Sequence, residues 1–358
     1  MGRLVLDMMD RRPIWAMPDD VPVRIENALP TGWDLVLIED ETDGSGDGAT
    51  RVSPRVLEAV RTADVYCGYG IPAELIDAGE RLRWVHSGAA GVGSSLTPSM
   101  LASDVVFTNS AGIHAPPMAE TVLAMLLHFG RGLDLAAAAQ RERRWGNESY
   151  YGAEAPLAEL SSSVVGIIGY GGIGREIARR VTSLGGRVLA LKRTPAAPSD
   201  RTLSPVGGTG SVADGVDLLS GAEGLDRLLR ESDAIVLCAP DTAETRGMID
   251  GPAFERMKSS AVFVNVARGR LVDQEALVEA IRTGQIRGAG LDVFEKEPLP
   301  ADSPLWDFPN VVVTPHVSAV TRGYWEREVS LILRNLERLL DDRPIDEWEN
   351  VVDKGAGY

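Results

Sequence analysis

The stretch Val164-Val165-Gly166-Ile167-Ile168-Gly169-Tyr170-Gly171-Gly172-Ile173-Gly174-Arg175 decides the fold. A continuous apolar run, as expected of a strand buried on both faces, leads into a glycine-rich turn, and residues 175–184 then carry apolar side chains at helical spacing. A GxGxxG pattern alone is weak evidence; between a strand and a helix it points to a dinucleotide pyrophosphate. Gly169 permits a tight turn, Gly171 lets the backbone approach a phosphate, and Gly174 allows close helix–strand packing. Tyr170, Gly172 and Ile173 complete the candidate cradle. The helix start there offers unpaired N–H groups and the positive end of a dipole.

Strand-like runs alternate with helical patterns on both sides of this motif, which predicts parallel sheets. Residues 164–168, 187–191, 234–237, 261–266, 288–293 and 311–314 give six strands of a doubly wound sheet. Five shorter runs, at 4–6, 34–38, 64–67, 83–86 and 105–108, give a smaller open sheet. A long apolar helical pattern over 111–130 reads as a connector and a candidate interface between copies, and the amphipathic 324–341 returns to the first sheet. The expected fold is α/β with two doubly wound parallel-sheet domains. A Rossmann dinucleotide-binding domain, residues 111–317, is inserted into a flavodoxin-like substrate domain made of 1–110 and 318–358. Residues 40–50, acidic and glycine-rich, read as a solvated loop. Residues 195–215, rich in Pro, Gly, Ser and Thr, read as an insertion after the second strand of the larger sheet.

Composition narrows the function. The 358 residues include 36 basic and 52 acidic side chains, a formal charge of −16. Such a field repels nucleic acid and anionic membranes, so neither is an expected partner, and any anionic ligand must be caught locally. No apolar run approaches the roughly 18–20 residues of a membrane span, and residues 1–15 lack the features of a secretion signal. Cys67 and Cys238 form no disulfide framework, which makes a reducing, cytoplasmic setting the default. The four histidines are scattered and imply no metal.

At the end of the second strand of the larger sheet, where a carboxylate usually meets the adenosine ribose, stand Lys192, Arg193 and Thr194. Two cations and a hydroxyl suit a 2′-phosphate, so NADP is the expected cofactor, with NAD possible. Three further polar residues, Arg268, Glu297 and His316, follow later strands at the edge where open α/β sheets bind ligands. Taken singly each has a bland reading: an arginine binding loop carbonyls, a glutamate on a solvated loop, a histidine filling a crevice. As residue types, His316 can pass a proton, a hydrogen-bonded Glu297 would favour the protonated ring, and Arg268 can grip an anion. Small residues in 87–92 leave backbone N–H groups open to an anion. Ala89, Ala90 and Gly91 are candidate substrate contacts on that reading, with Tyr69 a further one; a tight turn and simple packing explain the same residues equally well until the resemblance below favours Ala90 and Gly91. The candidate cofactor contacts also include Ala239, Pro240, Thr245, Val266, Ala267, Asp292 and His316.

These residues sit in longer matching runs: NVARGRLVD at 265–273, LDVFEKEP at 291–298, Thr314-Pro315-His316, Thr108-Asn109-Ser110, Met118-Ala119-Glu120, and NVVD at 350–353 with Gly357-Tyr358. Over nearly its whole length the chain resembles the D-isomer-specific 2-hydroxyacid dehydrogenases, in particular the glyoxylate/hydroxypyruvate reductase branch. The resemblance implies a catalytic triad of Arg268, Glu297 and His316. It selects Glu297, the acid before the proline, over Glu295, and implies a homodimer. Gly93 stands where many relatives have Asp.

The resulting expectation is an oxidoreductase moving a hydride between NADP(H) and a small 2-oxo acid or D-2-hydroxy acid. A phosphoglycerate substrate would call for extra cations, and Cys67–Gly70 offers none. Formate oxidation needs no proton transfer and so no histidine–glutamate pair. The alternative is a non-catalytic dinucleotide sensor resembling the corepressors that share the fold.

Overall fold

The computed structural model describes residues 2–40, 52–153, 155–193, 215–355 and 357. Thr194, the greater part of the 40–50 loop, residues 195–214 of the expected insertion, and Tyr358 lie outside the described residues. The chain divides into two compact units, Met1–His114 with Val320–Tyr358, and Ala115–Ala319.

The first unit holds β1 (Gly2–Asp7), β2 (Trp33–Leu37), β3 (Val65–Gly68), β4 (Trp84–Ser87) and β5 (Val106–Asn109). The strands pair in parallel in the order β2-β1-β3-β4-β5. Alternation along β1 shows why both faces are covered. Leu4 and Leu6 join Val329, Ile332 and Leu336 of the C-terminal helix Tyr324–Leu340. Val5 joins Val56 and Val60 of the helix Pro54–Val60, with Leu75 and Met100 beyond. Each such fully buried aliphatic side chain contributes about 1.5–3 kcal/mol. The Ser53 hydroxyl caps the helix Pro54–Val60 by accepting the Val56 N–H, as its place before a proline predicts. Past the edge strand β5, Val351 bridges Thr108 in antiparallel sense, so the C-terminal segment covers the open edge.

The second unit is a seven-stranded parallel sheet: β6 (Val164–Ile168), β7 (Arg187–Leu191), β8 (Val216–Leu219), β9 (Ala234–Leu237), β10 (Val262–Asn265), β11 (Gly288–Leu291) and β12 (Val311–Val313). The order is β12-β11-β10-β9-β6-β7-β8, which reverses direction at β6/β9. The six-strand expectation missed β8. This edge strand pairs only with β7, and its four residues are all half-buried, so Val216-Asp217-Leu218-Leu219 shows no continuous apolar run.

The helix of the 111–130 pattern starts at Ala115, because Ser110–Ile113 closes a turn through the Ile113 N–H to the Ser110 carbonyl. Its apolar face, Met118, Val122, Met125, Leu126 and Phe129, packs on Val165, Ile177 and Val181 of its own unit. That face is buried within its own unit, and along the helix Glu120 and Ala124 are the exposed positions. Among the described residues no single helix is long and apolar enough to cross a membrane.

Candidate active site

In the second unit the glycine turn takes the form its sequence requires. Gly169 has φ +103°, and a Cβ there would lie 2.7 Å from the Ala239 backbone, so no other residue fits without displacement. A Cβ on Gly174 would lie 2.1 Å from the Gly169 carbonyl oxygen, whereas one on Gly171 would meet nothing within 4 Å. Gly171 thus fronts open space at the start of the helix Gly172–Ser183, whose first intrahelical bond runs from the Arg175 N–H to the Gly171 carbonyl at 3.0 Å. This open, donor-rich cradle fits a pyrophosphate. Beneath it the Cys238 thiol donates to the Gly169 carbonyl at 3.0 Å, and burial pushes that thiol up to about 12. Burial also raises the Tyr170 phenol, partly opposed by Arg175.

Lys192 and Arg193 stand at the end of β7 as expected. Other expected cofactor contacts have structural duties. The Thr245 hydroxyl donates to the Pro240 carbonyl at 2.6 Å and accepts the Thr242 N–H at 2.8 Å, closing the turn after Ala239. Val266 and Ala267 are buried, and the Asn265 side chain holds the turn by accepting the Ala267 N–H and donating to the Arg268 carbonyl.

Asp292 is fully buried, and its carboxylate accepts the Thr314 hydroxyl at 2.6 Å, the Val317 N–H at 2.9 Å and the Ser318 N–H at 3.0 Å. These bonds make the side chain a brace for the turn carrying His316. That turn holds His316 in the left-handed region, φ +56°, with its N–H on the Asp292 carbonyl at 2.9 Å.

His316, Glu297 and Arg268 come from the ends of β12, β11 and β10, which are neighbours in the sheet. The structure brings two of them into contact: His316 Nδ1 lies 2.7 Å from Glu297 Oε2. The other carboxylate oxygen, Oε1, accepts the Phe294 N–H at 3.0 Å, which fixes the acid in its loop. Among the described residues His316 Nε2 has no partner. Glu295 points elsewhere, its carboxylate accepting the Gln274 N–H at the start of the helix Gln274–Arg282. Arg268 makes no hydrogen bond to either acid or histidine; it is exposed, and Nη1 donates to the Ala267 carbonyl at 2.7 Å. Sequence reasoning gave no role to Gly269, yet its Cα faces the Phe294 carbonyl so closely that a side chain is excluded. Glycine directly after the arginine was the available signal. Among the described residues no cluster of His, Cys, Asp and Glu could hold a metal.

In the first unit the expected substrate contacts separate by exposure. Tyr69 and Ala89 are 6% and 4% exposed, while Ala90 and Gly91 are exposed. The Tyr69 side chain belongs to the core beside Met8 and Tyr324, and the Ala89 N–H is taken by the Ser87 hydroxyl at 3.2 Å. Three successive carbonyls of residues 88–90 have donors: Gly88 faces the Tyr324 hydroxyl at 3.3 Å, Ala89 the Ser110 N–H at 3.2 Å, and Ala90 the Asn109 amide at 2.9 Å. In a trans peptide C=O and N–H point opposite ways, so anchoring the Ala89 and Ala90 carbonyls turns the Ala90 and Gly91 N–H groups outward. Among the described residues neither has an acceptor. His86 is fully buried and His114 stacks on Tyr324 with ring centres 5.6 Å apart, so both have packing roles.

Comparison with known proteins identifies the family. The sequence model described as D-isomer specific 2-hydroxyacid dehydrogenase, NAD binding domain, matches residues 123–318. Glyoxylate reductase of Thermococcus onnurineus (strain NA1) is 36% identical over 288 residues, covering 78% of this chain and 81% of the relative. D-3-phosphoglycerate dehydrogenase of Mycobacterium bovis is 36% identical over 308 residues; the match takes in 85% of this chain but only 54% of that relative. Among solved structures, a D-isomer specific 2-hydroxyacid dehydrogenase from Xanthobacter autotrophicus Py2 in complex with NADPH and MES superposes with a TM-score of 0.75. It is 29% identical, with 100% and 99% of the two chains covered. An NADPH-dependent glyoxylate/hydroxypyruvate reductase from Sinorhizobium meliloti in complex with NADP and sulfate gives a TM-score of 0.73 at 26% identity, with both chains fully covered.

Proposed function

The chain belongs to the D-isomer-specific 2-hydroxyacid dehydrogenases, NAD(P)-dependent oxidoreductases, and on that premise we propose that it reduces small 2-oxo acids with NADPH, glyoxylate and hydroxypyruvate foremost. The observation that carries this reading is the His316–Glu297 contact at 2.7 Å through Nδ1, which leaves Nε2 as the ring nitrogen open to a substrate. His316 donates a proton to the keto oxygen as it becomes a hydroxyl, and Glu297 holds the ring in orientation. In the oxidative direction the neutral ring takes the hydroxyl proton back.

Arg268 grips the substrate carboxylate and polarises the keto oxygen. The outward Ala90 and Gly91 N–H groups of the first unit suit donation to an anionic group, local attraction that a chain of charge −16 does not offer at long range. The pyrophosphate is held at Gly171 and the first turn of the helix Gly172–Ser183, and Lys192 and Arg193 receive the 2′-phosphate. The bound nicotinamide supplies the hydride. Both solved relatives named above carry NADPH or NADP, which supports the phosphorylated cofactor. The Cys67–Gly70 segment has no cation, which favours an unphosphorylated substrate over the substrate named for the phosphoglycerate relative.

The test is NADPH oxidation with glyoxylate, hydroxypyruvate and phenylpyruvate, repeated with NADH. Turnover of the two small acids, faster with NADPH, is the expected result. Tight NADPH binding with no turnover of any 2-oxo acid would replace the enzyme by the sensor.

A further inference from the structure

The loop 87–91 rests on a buried polar assembly that the reaction itself does not use. Glu328, on the C-terminal helix Tyr324–Leu340, is fully buried, as are Ser110, His86 and Thr108. Its Oε1 meets His86 Nε2 at 2.8 Å, and its Oε2 accepts from the Ser110 hydroxyl at 2.8 Å. On the far side of the imidazole, His86 Nδ1 meets the Thr108 hydroxyl at 2.8 Å, which in turn accepts the Trp84 indole N–H, also at 2.8 Å.

A helix seeking only to pack would carry leucine at position 328, among neighbours such as Leu331 and Ile332. A buried carboxylate is costly unless it is fully engaged, and one kept in an apolar core calls for a task that leucine could not perform. The task is visible in what Ser110 touches. Its hydroxyl gives its one hydrogen to Glu328 and lies 3.0 Å from the Ser87 carbonyl oxygen, and its N–H holds the Ala89 carbonyl at 3.2 Å. The second of these contacts sets the plane of the Ala89–Ala90 peptide and so aims the Ala90 N–H. Tyr324, one turn before Glu328 on the same helix face, reaches the Gly88 carbonyl of the same loop.

We propose that Ser110 and Glu328 are positioning residues for the recognition of the substrate carboxylate, Glu328 fixing Ser110 and Ser110 fixing the peptide whose N–H receives the acid. This rests on the reading of the chain as a 2-oxo acid reductase. Neither residue touches the reacting atoms, so the role differs from that of His316, Glu297 or Arg268.

The experiment compares wild type with Ser110→Ala, Glu328→Leu and the double variant, measuring KM and kcat for glyoxylate, the dissociation constant of NADPH, and binding of oxamate as an unreactive carboxylate probe. Ser110→Ala is expected to raise KM and the oxamate dissociation constant about tenfold, the effect of one misplaced hydrogen bond, with kcat and NADPH binding within about twofold of wild type. Glu328→Leu is expected to do the same, and the double variant to be no worse than the single ones, because the two act in series. An unchanged KM in Ser110→Ala overturns the proposal even if Glu328→Leu fails to fold, and so does an equal fall of kcat and NADPH affinity, which marks general damage. A wild-type protein that turns over glyoxylate while Ser110→Ala keeps its KM refutes the positioning role alone; wild-type protein inert toward every 2-oxo acid refutes both readings.

Discussion

A methyl group in place of the Gly269 hydrogen would lie 1.8 Å from the carbonyl carbon of Phe294, so the backbone after Arg268 rests directly on the loop that leads to Glu297. The obstacle is backbone, which cannot swing aside as a flexible side chain could. Gly269→Ala is therefore expected to destabilise the second unit by about 1–3 kcal/mol. Activity should fall at least tenfold beyond the loss of folded protein, because Arg268 and Glu297 would both move. Denaturant unfolding with active-site titration checks this, and full specific activity would contradict the coupling.

Replacing His316 by Gln keeps a polar side chain but removes the proton donor. kcat is expected to drop by about 10²–10⁴ with NADPH affinity nearly unchanged. Steady-state kinetics beside fluorescence titration of NADPH separate the two quantities. Equal losses in both would count against the assigned role.

Changing Lys192 and Arg193 together to Ala should weaken NADPH about 10- to 100-fold while leaving NADH within a few-fold, since only the phosphorylated cofactor offers a dianion to these cations. The ratio of kcat/KM for the two cofactors is the readout. A ratio that does not move would end the NADP assignment.

Asp7, 8% exposed at the end of β1, accepts the Tyr66 hydroxyl at 2.7 Å. Burial pushes its carboxyl up from 3.8 to about 6, opposed by the Tyr66 hydrogen bond and assisted by the charge of Asp40. The folded chain then holds more protons at this site than the unfolded chain between about pH 4 and 6. The contribution of Asp7 to stability accordingly falls as pH rises through that window and is constant above it. Asp7→Asn should remove this fall and gain about 3 kcal/mol over wild type at pH 7. Urea midpoints of both proteins from pH 4 to 8 provide the check; parallel profiles would be inconsistent with it.

The strands were legible where apolar runs are buried on both faces, as in Val164–Ile168 and Ala234–Leu237, and illegible in Val216–Leu219, where an edge strand buries only half of each residue. His316, Glu297 and Arg268 could be located because each follows a strand closely in sequence. The state of their neighbours could not. Whether the Asp292 carboxylate is open or occupied depends on Thr314, Val317 and Ser318, and the burial of Tyr69 depends on Tyr324, far along the chain. The outward turn of the Ala90 N–H, not the Ala89 N–H, depends on which carbonyls Ser110 and Tyr324 reach. Such orientations are set by long-range contacts and leave no local pattern.

The pinned carbonyls of residues 88–90 turn peptide dipoles to the outward face of this loop. Dipoles of this kind carry no dissociable hydrogen in the biological range, so an anion held there as proposed would be gripped alike in mildly acid and in alkaline medium.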